Sequence, residues 1–266
     1  MRWEHLTSPD FEKAVATCAG VGIIPIGVLE PHGAHMPLGT DMLEAHWTAC
    51  RAAEQEAAIV FPQYPMGLNH EGAHLPGALV IKRDILFIVL ENICDEMGRN
   101  GLSKIILLSG HGGNRNFLPM FVQTLTEKKR NYAVYNADVK LFDVGQAGLE
   151  TDEIGHACEA ETSRSLHINP ELIKMEQLPD QPFTNMNRNQ PLKSQGGYTS
   201  VDWYAMYPNM YVGDAHKAAD KKGKILADNR IKALVDLIRL IKEDTMTGSL
   251  LDTFMQQREE PRSPYT

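Results

Sequence analysis

Apolar positions along the chain follow two patterns, short runs bounded by glycine or polar residues and longer stretches with helical spacing. Residues 21–29 (VGIIPIGVL) and Lys104–Ser109 (KIILLS) are short, nearly continuous and rich in β-branched residues, which predicts strands buried on both faces. Residues 58–61 and 132–137 predict two further strands. Pro25 has no N–H to give a sheet ladder, so its place in the first run argues for an edge or a bulge nearby. Ser8-Pro9-Asp10 reads as a helix start, with Ser8 as the cap, and the helix should run to about Cys18. Residues 41–57 predict a second helix. In residues 83–100 a third is marked by Ile85, Ile88, Val89, Ile93 and Met97 at helical spacing, closed by Asn100-Gly101. Residues 117–129 predict a fourth. Residues 216–243 predict one long amphipathic helix with Ile225, Leu226, Ile231, Leu234, Val235, Ile238 and Ile241 on its apolar side.

Strands that alternate with helices imply right-handed βαβ units, hence an α/β fold with a mostly parallel sheet. Two irregular stretches, residues 30–40 and 62–79, lie between these elements. A third, about 175–215, is polar and rich in Pro, Asn and Gly, and predicts long loops over the surface. No repeat or linker divides the chain, so residues 1–266 are expected to form a single domain, with about 245–266 as a peripheral tail whose last residues (QQREEPRSPYT) fray.

Composition narrows the function. Of the 266 residues, 43% are hydrophobic and 23% charged, as in globular proteins that bury a sizeable core. The longest apolar run, Ile85 to Leu90, is six residues, too short for a membrane span. The start Met-Arg-Trp-Glu-His has no apolar region of a secretory signal. A formal net charge of −8 argues against a nucleic-acid partner. The one dense basic cluster, Lys128-Lys129-Arg130, reads as a solvated helix end. Cys18, Cys50, Cys94 and Cys158 are far apart and form no CxxC pair, so neither a zinc knuckle nor a disulfide framework is indicated, and a cytoplasmic location is expected.

Three clusters carry candidate chemistry. They are Glu30-Pro31-His32-Gly33-Ala34-His35 followed by Thr40-Asp41, then Gly110-His111-Gly112-Gly113-Asn114, then His156-Ala157-Cys158-Glu159-Ala160-Glu161-Thr162-Ser163. The first two begin where an apolar strand stops. In a parallel sheet ligands sit outside the C-terminal strand ends, which brings Glu30, His32 and His111 to one edge and lets Asp41 point back to it. Carboxylates and imidazoles converging in a crevice suggest a divalent metal site. Three carboxylates are balanced by two divalent ions and a bridging hydroxide, which favours two metals over one. The competing readings are structural: Glu30 or Asp41 as a helix cap, His111 bonded to backbone, and the glycine-rich turn as a phosphate cradle lacking the P-loop lysine.

LEPHGAHMPLGTD, SGHGGN and HACEAETS, in that order, closely resemble the motifs of the creatininase (creatinine amidohydrolase) family, and His74-Leu75-Pro76-Gly77 resembles a further element of it. The resemblance spans about residues 20–170, with a weaker element from Gly213-Asp214 to Lys224. It implies a three-layer αβα sandwich, a two-metal centre of Zn, Mn or Fe, and a homo-oligomer, often a hexamer. It implies that Glu30, His32, Asp41 and His111 are metal ligands, with Asp41 bridging, that His156 is a catalytic or substrate-contacting residue, and that His74, Gly112 and Gly113 contact substrate. The creatinine enzyme has an acidic ligand where Gly113 stands, so the fifth ligand is assigned to Glu159. That enzyme also uses tryptophans near its substrate, whereas Trp3, Trp47 and Trp203 all lie outside the stretch between the second and third motifs.

The expected function is metal-dependent hydrolysis of a small cyclic polar substrate, a metal-bound hydroxide attacking a carbonyl, as in a cyclic amide resembling creatinine. The family also includes formamide-cleaving and peptide-trimming enzymes. An alternative is hydrolysis of a C–C bond in a cyclic diketo-inositol such as 3-dehydro-scyllo-inosose. A third is a non-catalytic phosphate or sugar binder that uses the glycine-rich turn and Arg115.

Overall fold

The structure, a computed structural model, describes residues 1–137 and 148–265. Four parallel strands, β1 (Val21–Ile26), β2 (Ile59–Val60), β3 (Lys104–Ser109) and β4 (Ala133–Ala137), pair in the order β2-β1-β3-β4. Nine α-helices are seen among the described residues: α1 (Ser8–Thr17), α2 (Thr40–Gln55), α3 (Arg83–Arg99), α4 (Asn114–Thr124), α5 (Glu159–Ile168), α6 (Gln190–Lys193), α7 (Asp202–Met206), α8 (Asp220–Glu243) and α9 (Met246–Glu259).

Side chains alternate across the strands and so divide the core in two. Ile24, Ile26, Ile105 and Leu107 meet Cys18 after α1, Leu86, Leu90 and Met97 of α3, and Phe117 and Phe121 of α4. Val21, Ile23, Ile106 and Leu108 meet Ala49 and Ala52 of α2 and Ile231, Leu234 and Ile238 of α8. Helices therefore cover both faces, giving the αβα layering, and α5 packs on α8. From β1 the chain goes out to β2 and then back across to β3. That reversal opens a crevice between the C-terminal ends of β1 and β3, the usual ligand position in such sheets.

Several details differ from expectation. Thr7, not Ser8, caps α1, accepting from the Asp10 N–H at 3.4 Å. β1 is an interior strand despite Pro25. The proline falls in a gap on that side, since β2 pairs only with Gly22 and Ile23 and contact resumes past it with the Gly27 N–H donating to the Tyr64 carbonyl at 3.0 Å. α4 starts at Asn114, directly on the glycine-rich motif rather than at Phe117. Residues 175–215 are largely irregular, as expected, with only short helices such as α6 and α7. The tail is more ordered than its composition suggests, since α9 runs to Glu259 and buries Met255. Thr266 of that tail lies outside the described residues. Among the described residues no helix is long and apolar enough to cross a membrane, and all four cysteines are free thiols.

Two glycines let the first turn of α2 approach the crevice. A Cβ on Gly27 would lie 2.2 Å from the Met42 nitrogen, and one on Gly110 would lie 2.4 Å from the Asp41 carbonyl oxygen. Gly27→Ala must push α2 outward. It is expected to lower stability by about 1–3 kcal/mol, as overpacked cores do, and to weaken metal binding through Asp41, checked by denaturant unfolding and metal analysis of one preparation.

Candidate metal centre

Glu30 and His32 follow β1, Asp41 is the second residue of α2 and His111 follows β3. All four are buried. The loop after β1 is closed by the Glu30 N–H donating to the Leu38 carbonyl at 2.9 Å. The turn after β3 is pinned by Ser109, whose hydroxyl accepts from the His111 N–H at 3.2 Å and donates to the His111 carbonyl at 2.9 Å.

The histidine tautomers follow from their backbone partners. His32 Nδ1 faces the Glu30 carbonyl at 3.1 Å, and a carbonyl can only accept, so Nδ1 carries the proton. His111 Nε2 donates in the same way to the Leu68 carbonyl at 3.0 Å. In the neutral rings the other nitrogens are lone pairs, and both face carboxylates. His111 Nδ1 lies 2.9 Å from Glu30 Oε1 and 2.9 Å from Asp41 Oδ2. His32 Nε2 lies 3.2 Å from Asp41 Oδ1 and 3.9 Å from Glu161 Oε2. Lone pairs aimed at carboxylate oxygens repel unless a proton or a metal ion stands between them. Both Glu30 oxygens and Asp41 Oδ2 are buried without a hydrogen-bond partner.

Three triads of potential ligand atoms result, each within 4.8 Å: Glu30–His32–His156, and two that share Asp41, Glu30–Asp41–His111 and His32–Asp41–Glu161. In those two Asp41 turns a different oxygen to each histidine. The donor set of imidazole and carboxylate fits zinc, manganese or iron. The field of the site also favours positive charge. Burial works against an imidazolium at His32, but Asp41, Glu161 and Glu30 outweigh it and pull the pKa up to about 10. Burial likewise opposes protonation of His111, yet Glu30, Asp41 and Glu71 hold its pKa well above the ordinary histidine range.

Glu159, expected as the fifth ligand, is not among these groups. Its carboxylate is fully buried against Lys222 Nζ at 2.5 Å, the Thr151 hydroxyl at 2.7 Å and the N–H groups of Glu150 and Thr151 at 2.9 and 2.8 Å. Those donors satisfy it as a clamp between α5 and α8. Two positions apart on a helix is about 200° of rotation, so Glu161 points the other way, into the crevice. Its Oε2 accepts from the Ala157 N–H at 2.6 Å. Burial opposes ionisation of Glu161, but His32, His156 and Arg164 keep its pKa below the ordinary value.

His156 stacks on His32 with ring centroids 4.1 Å apart. Its Nε2 donates to the Pro31 carbonyl at 2.9 Å, and its Nδ1 lies 4.0 Å from Glu161 Oε2. His74 lies away from the triads and contacts the Glu71 and Pro208 carbonyls at 3.1 and 2.5 Å, tying the 62–79 loop to the long excursion. Gly112 and Gly113 differ. A side chain at Gly112 would enter open space, whereas a Cβ at Gly113 would lie 2.4 Å from Glu71 Oε1 and 2.4 Å from His111 Nε2.

Two residues were missed by sequence reasoning. Glu71 brings its Oε1 to 3.6 Å from His111 Nε2. Trp203, on α7, stands edge-on to His156 at 5.9 Å and packs on Tyr207 at 5.2 Å. The site thus has an aromatic wall, supplied from the irregular excursion rather than from between the second and third motifs. A cavity of about 150 Å³ opens beside His111, Gly112, Arg115 and Glu161.

The fold and site define an αβα protein with a carboxylate–histidine centre at a strand-end crevice, the arrangement of a metal-dependent hydrolase. The creatininase (creatinine amidohydrolase) family model matches residues 4–238, and the chain belongs to that enzymatic family. It is 24% identical over 261 residues to the creatinine amidohydrolase of Pseudomonas putida, covering 88% of this chain and 95% of that protein. It is 26% identical over 231 residues to a mycofactocin precursor peptide peptidase of Mycolicibacterium smegmatis, covering 84% and 85%. It is 27% identical over 276 aligned positions to the 3-dehydro-scyllo-inosose hydrolase of Thermotoga maritima, covering 93% and 86%. A creatinine amidohydrolase homologue from Bacteroides fragilis superposes with a TM-score of 0.76 at 26% identity, covering 85% of this chain and 91% of its own. Zinc–zinc and manganese forms of creatininase share the fold at 23% identity, with TM-scores of 0.76 and 0.75, covering 91% of this chain and 98% and 99% of theirs. Family membership sets aside the non-catalytic binder reading.

His35 supplies a pH dependence. It is buried, its Nε2 donates to the Thr162 hydroxyl at 2.8 Å, and its Nδ1 has no partner. Burial, with the nearby His32 charge, pushes its pKa down to about 4. The unfolded chain, with a histidine pKa near 6.5, binds the extra proton first as pH falls. The stability that neutral His35 contributes is therefore complete above pH ~6.5 and is lost progressively down to ~4, on the order of 3 kcal/mol. His35→Gln should flatten that part of the stability–pH curve, measured by urea unfolding at stepped pH.

Proposed function

We propose that the chain is a hydrolase holding two divalent ions, one at Glu30, Asp41 and His111 and the other at His32, Asp41 and Glu161, and that it cleaves a small cyclic polar substrate at a carbonyl carbon. The observation that carries this reading is the division of Asp41, with one oxygen in each of these two triads. When bound, such ions polarise a carbonyl oxygen and bring the pKa of a coordinated water towards neutrality.

The protein's own groups do the rest. The Glu30 and Leu68 carbonyls hold the two histidines in the tautomers that present lone pairs inward. With Nε2 committed to the Pro31 carbonyl, the neutral His156 leaves Nδ1 as the atom that takes up or returns a proton. Trp203, backed by Tyr207, lines His156 and keeps bulk water from that side. The absence of a side chain at Gly112 leaves the space beside His111 open.

The leading reaction is hydrolysis of a cyclic amide C–N bond. Opening of a cyclic 1,3-diketone such as 3-dehydro-scyllo-inosose is the second reading, favoured by the match to the inosose hydrolase over 93% of this chain. Both start with attack on a carbonyl, so a substrate panel decides between them. Cyclic amides, formamides and keto-inositols should be assayed with the zinc and the manganese enzyme. Turnover of a keto-inositol alone would overturn the amide reading, and turnover of none would overturn both.

Two variants test the site. Glu161→Gln should remove one of the two ions while Glu159→Gln leaves both in place, read by metal analysis of dialysed protein. His156→Ala should keep the metal content and lower kcat by roughly 10²–10⁴-fold, the usual range for a positioned proton-transfer group. Loss of metal instead would make His156 a ligand.

A further inference from the structure

We infer that Arg164 is a positioning residue for Glu161, aiming that carboxylate at the His32 side of the centre and so setting the affinity of one ion without touching it. The inference rests on Glu161 being a ligand. Glu161 is held at two points. The Ala157 N–H fixes Oε2, and Arg164 Nη2 stands 3.6 Å from Oε1. Arg164 is itself buried, and its Nε donates to Glu44 Oε2 at 2.9 Å. Glu44 is fixed in turn by the Ser165 hydroxyl at 2.7 Å and by Arg230 Nη1 at 3.3 Å.

Glu44 lies on α2 one turn beyond Asp41. A continuous set of charge-assisted contacts therefore ties the helix bearing Asp41, which is common to two triads, to the helix bearing Glu161. The planar guanidinium presents Nε to one carboxylate and Nη2 to another in a fixed geometry that a lysine ammonium cannot reproduce. Groups that orient metal ligands from behind typically set metal affinity by about 10–100-fold.

The test is stepwise binding of Zn²⁺ and of Mn²⁺ to full-length apoprotein, in competition with a chromophoric chelator, alongside thermal unfolding. Arg164→Gln and Arg164→Lys should weaken, by roughly 10–100-fold, the same ion that Glu161→Gln removes, leaving the other within about threefold. Tyr132→Phe, which loses the hydrogen bond to Asp95 on α3 outside this network, should lower Tm while leaving both affinities unchanged. If Arg164→Gln fails to fold, Arg164→Lys, which keeps the charge beside Glu44, carries the test. Wild-type affinity for both ions in the folded Arg164 variants, or equal weakening of both, overturns the inference. Should Glu161→Gln keep both ions, it is the ligand assignment that has failed.

Discussion

Three carboxylates, Glu30, Asp41 and Glu161, are brought together in a crevice from which water is largely excluded, and the rest of the structure answers to that constraint. Like charges at spacings near 4.8 Å repel on the order of 3 kcal/mol even at an effective dielectric of 20. Buried carboxylate oxygens without donors add a desolvation cost. Histidine lone pairs facing those oxygens make the arrangement worse for a neutral site and better for a cationic one. A chain that folds this way without its ions gives up stability that the ions restore, so folding and metal binding are linked.

The scaffold delivers these groups from separate places. Glu30 and His111 come from adjacent parallel strands on either side of the point where the chain reverses direction. Asp41 comes from a helix that reaches the strand ends because residues 27 and 110 have no side chain. Glu161 comes from α5, where a left-handed residue, Ala157 with φ +56°, turns the backbone N–H onto the carboxylate. No single segment contains the centre, which makes it sensitive to the packing of α2 and α5 on the sheet.

Much of this was legible in the sequence because periodicity and motif position are local properties. KIILLS gave the third strand its true limits, and the residues after each apolar run were recognisable as strand-end chemistry. The choice between Glu159 and Glu161 was not local. Both begin α5, and only the neighbours decide: Lys222 arrives from α8 to neutralise Glu159, while His32 arrives from the β1 loop beside Glu161. Trp203 escaped notice for the same reason, since its segment has no regular pattern and reaches His156 only through tertiary folding. Pro25 misled in a different way. Its missing N–H is a real cost in a full ladder, but β2 is so short that no partner is lost.

The pair Glu159 and Glu161 also shows how a buried acid can be sorted into scaffold or chemistry. Glu159 receives a lysine, a hydroxyl and two backbone N–H groups, a set that completes a carboxylate's needs. Glu30 receives none, and Glu161 receives one backbone donor and a distant guanidinium. Incomplete satisfaction of a buried acid calls for a partner from outside the chain. That criterion separates the two acids where motif spacing could not.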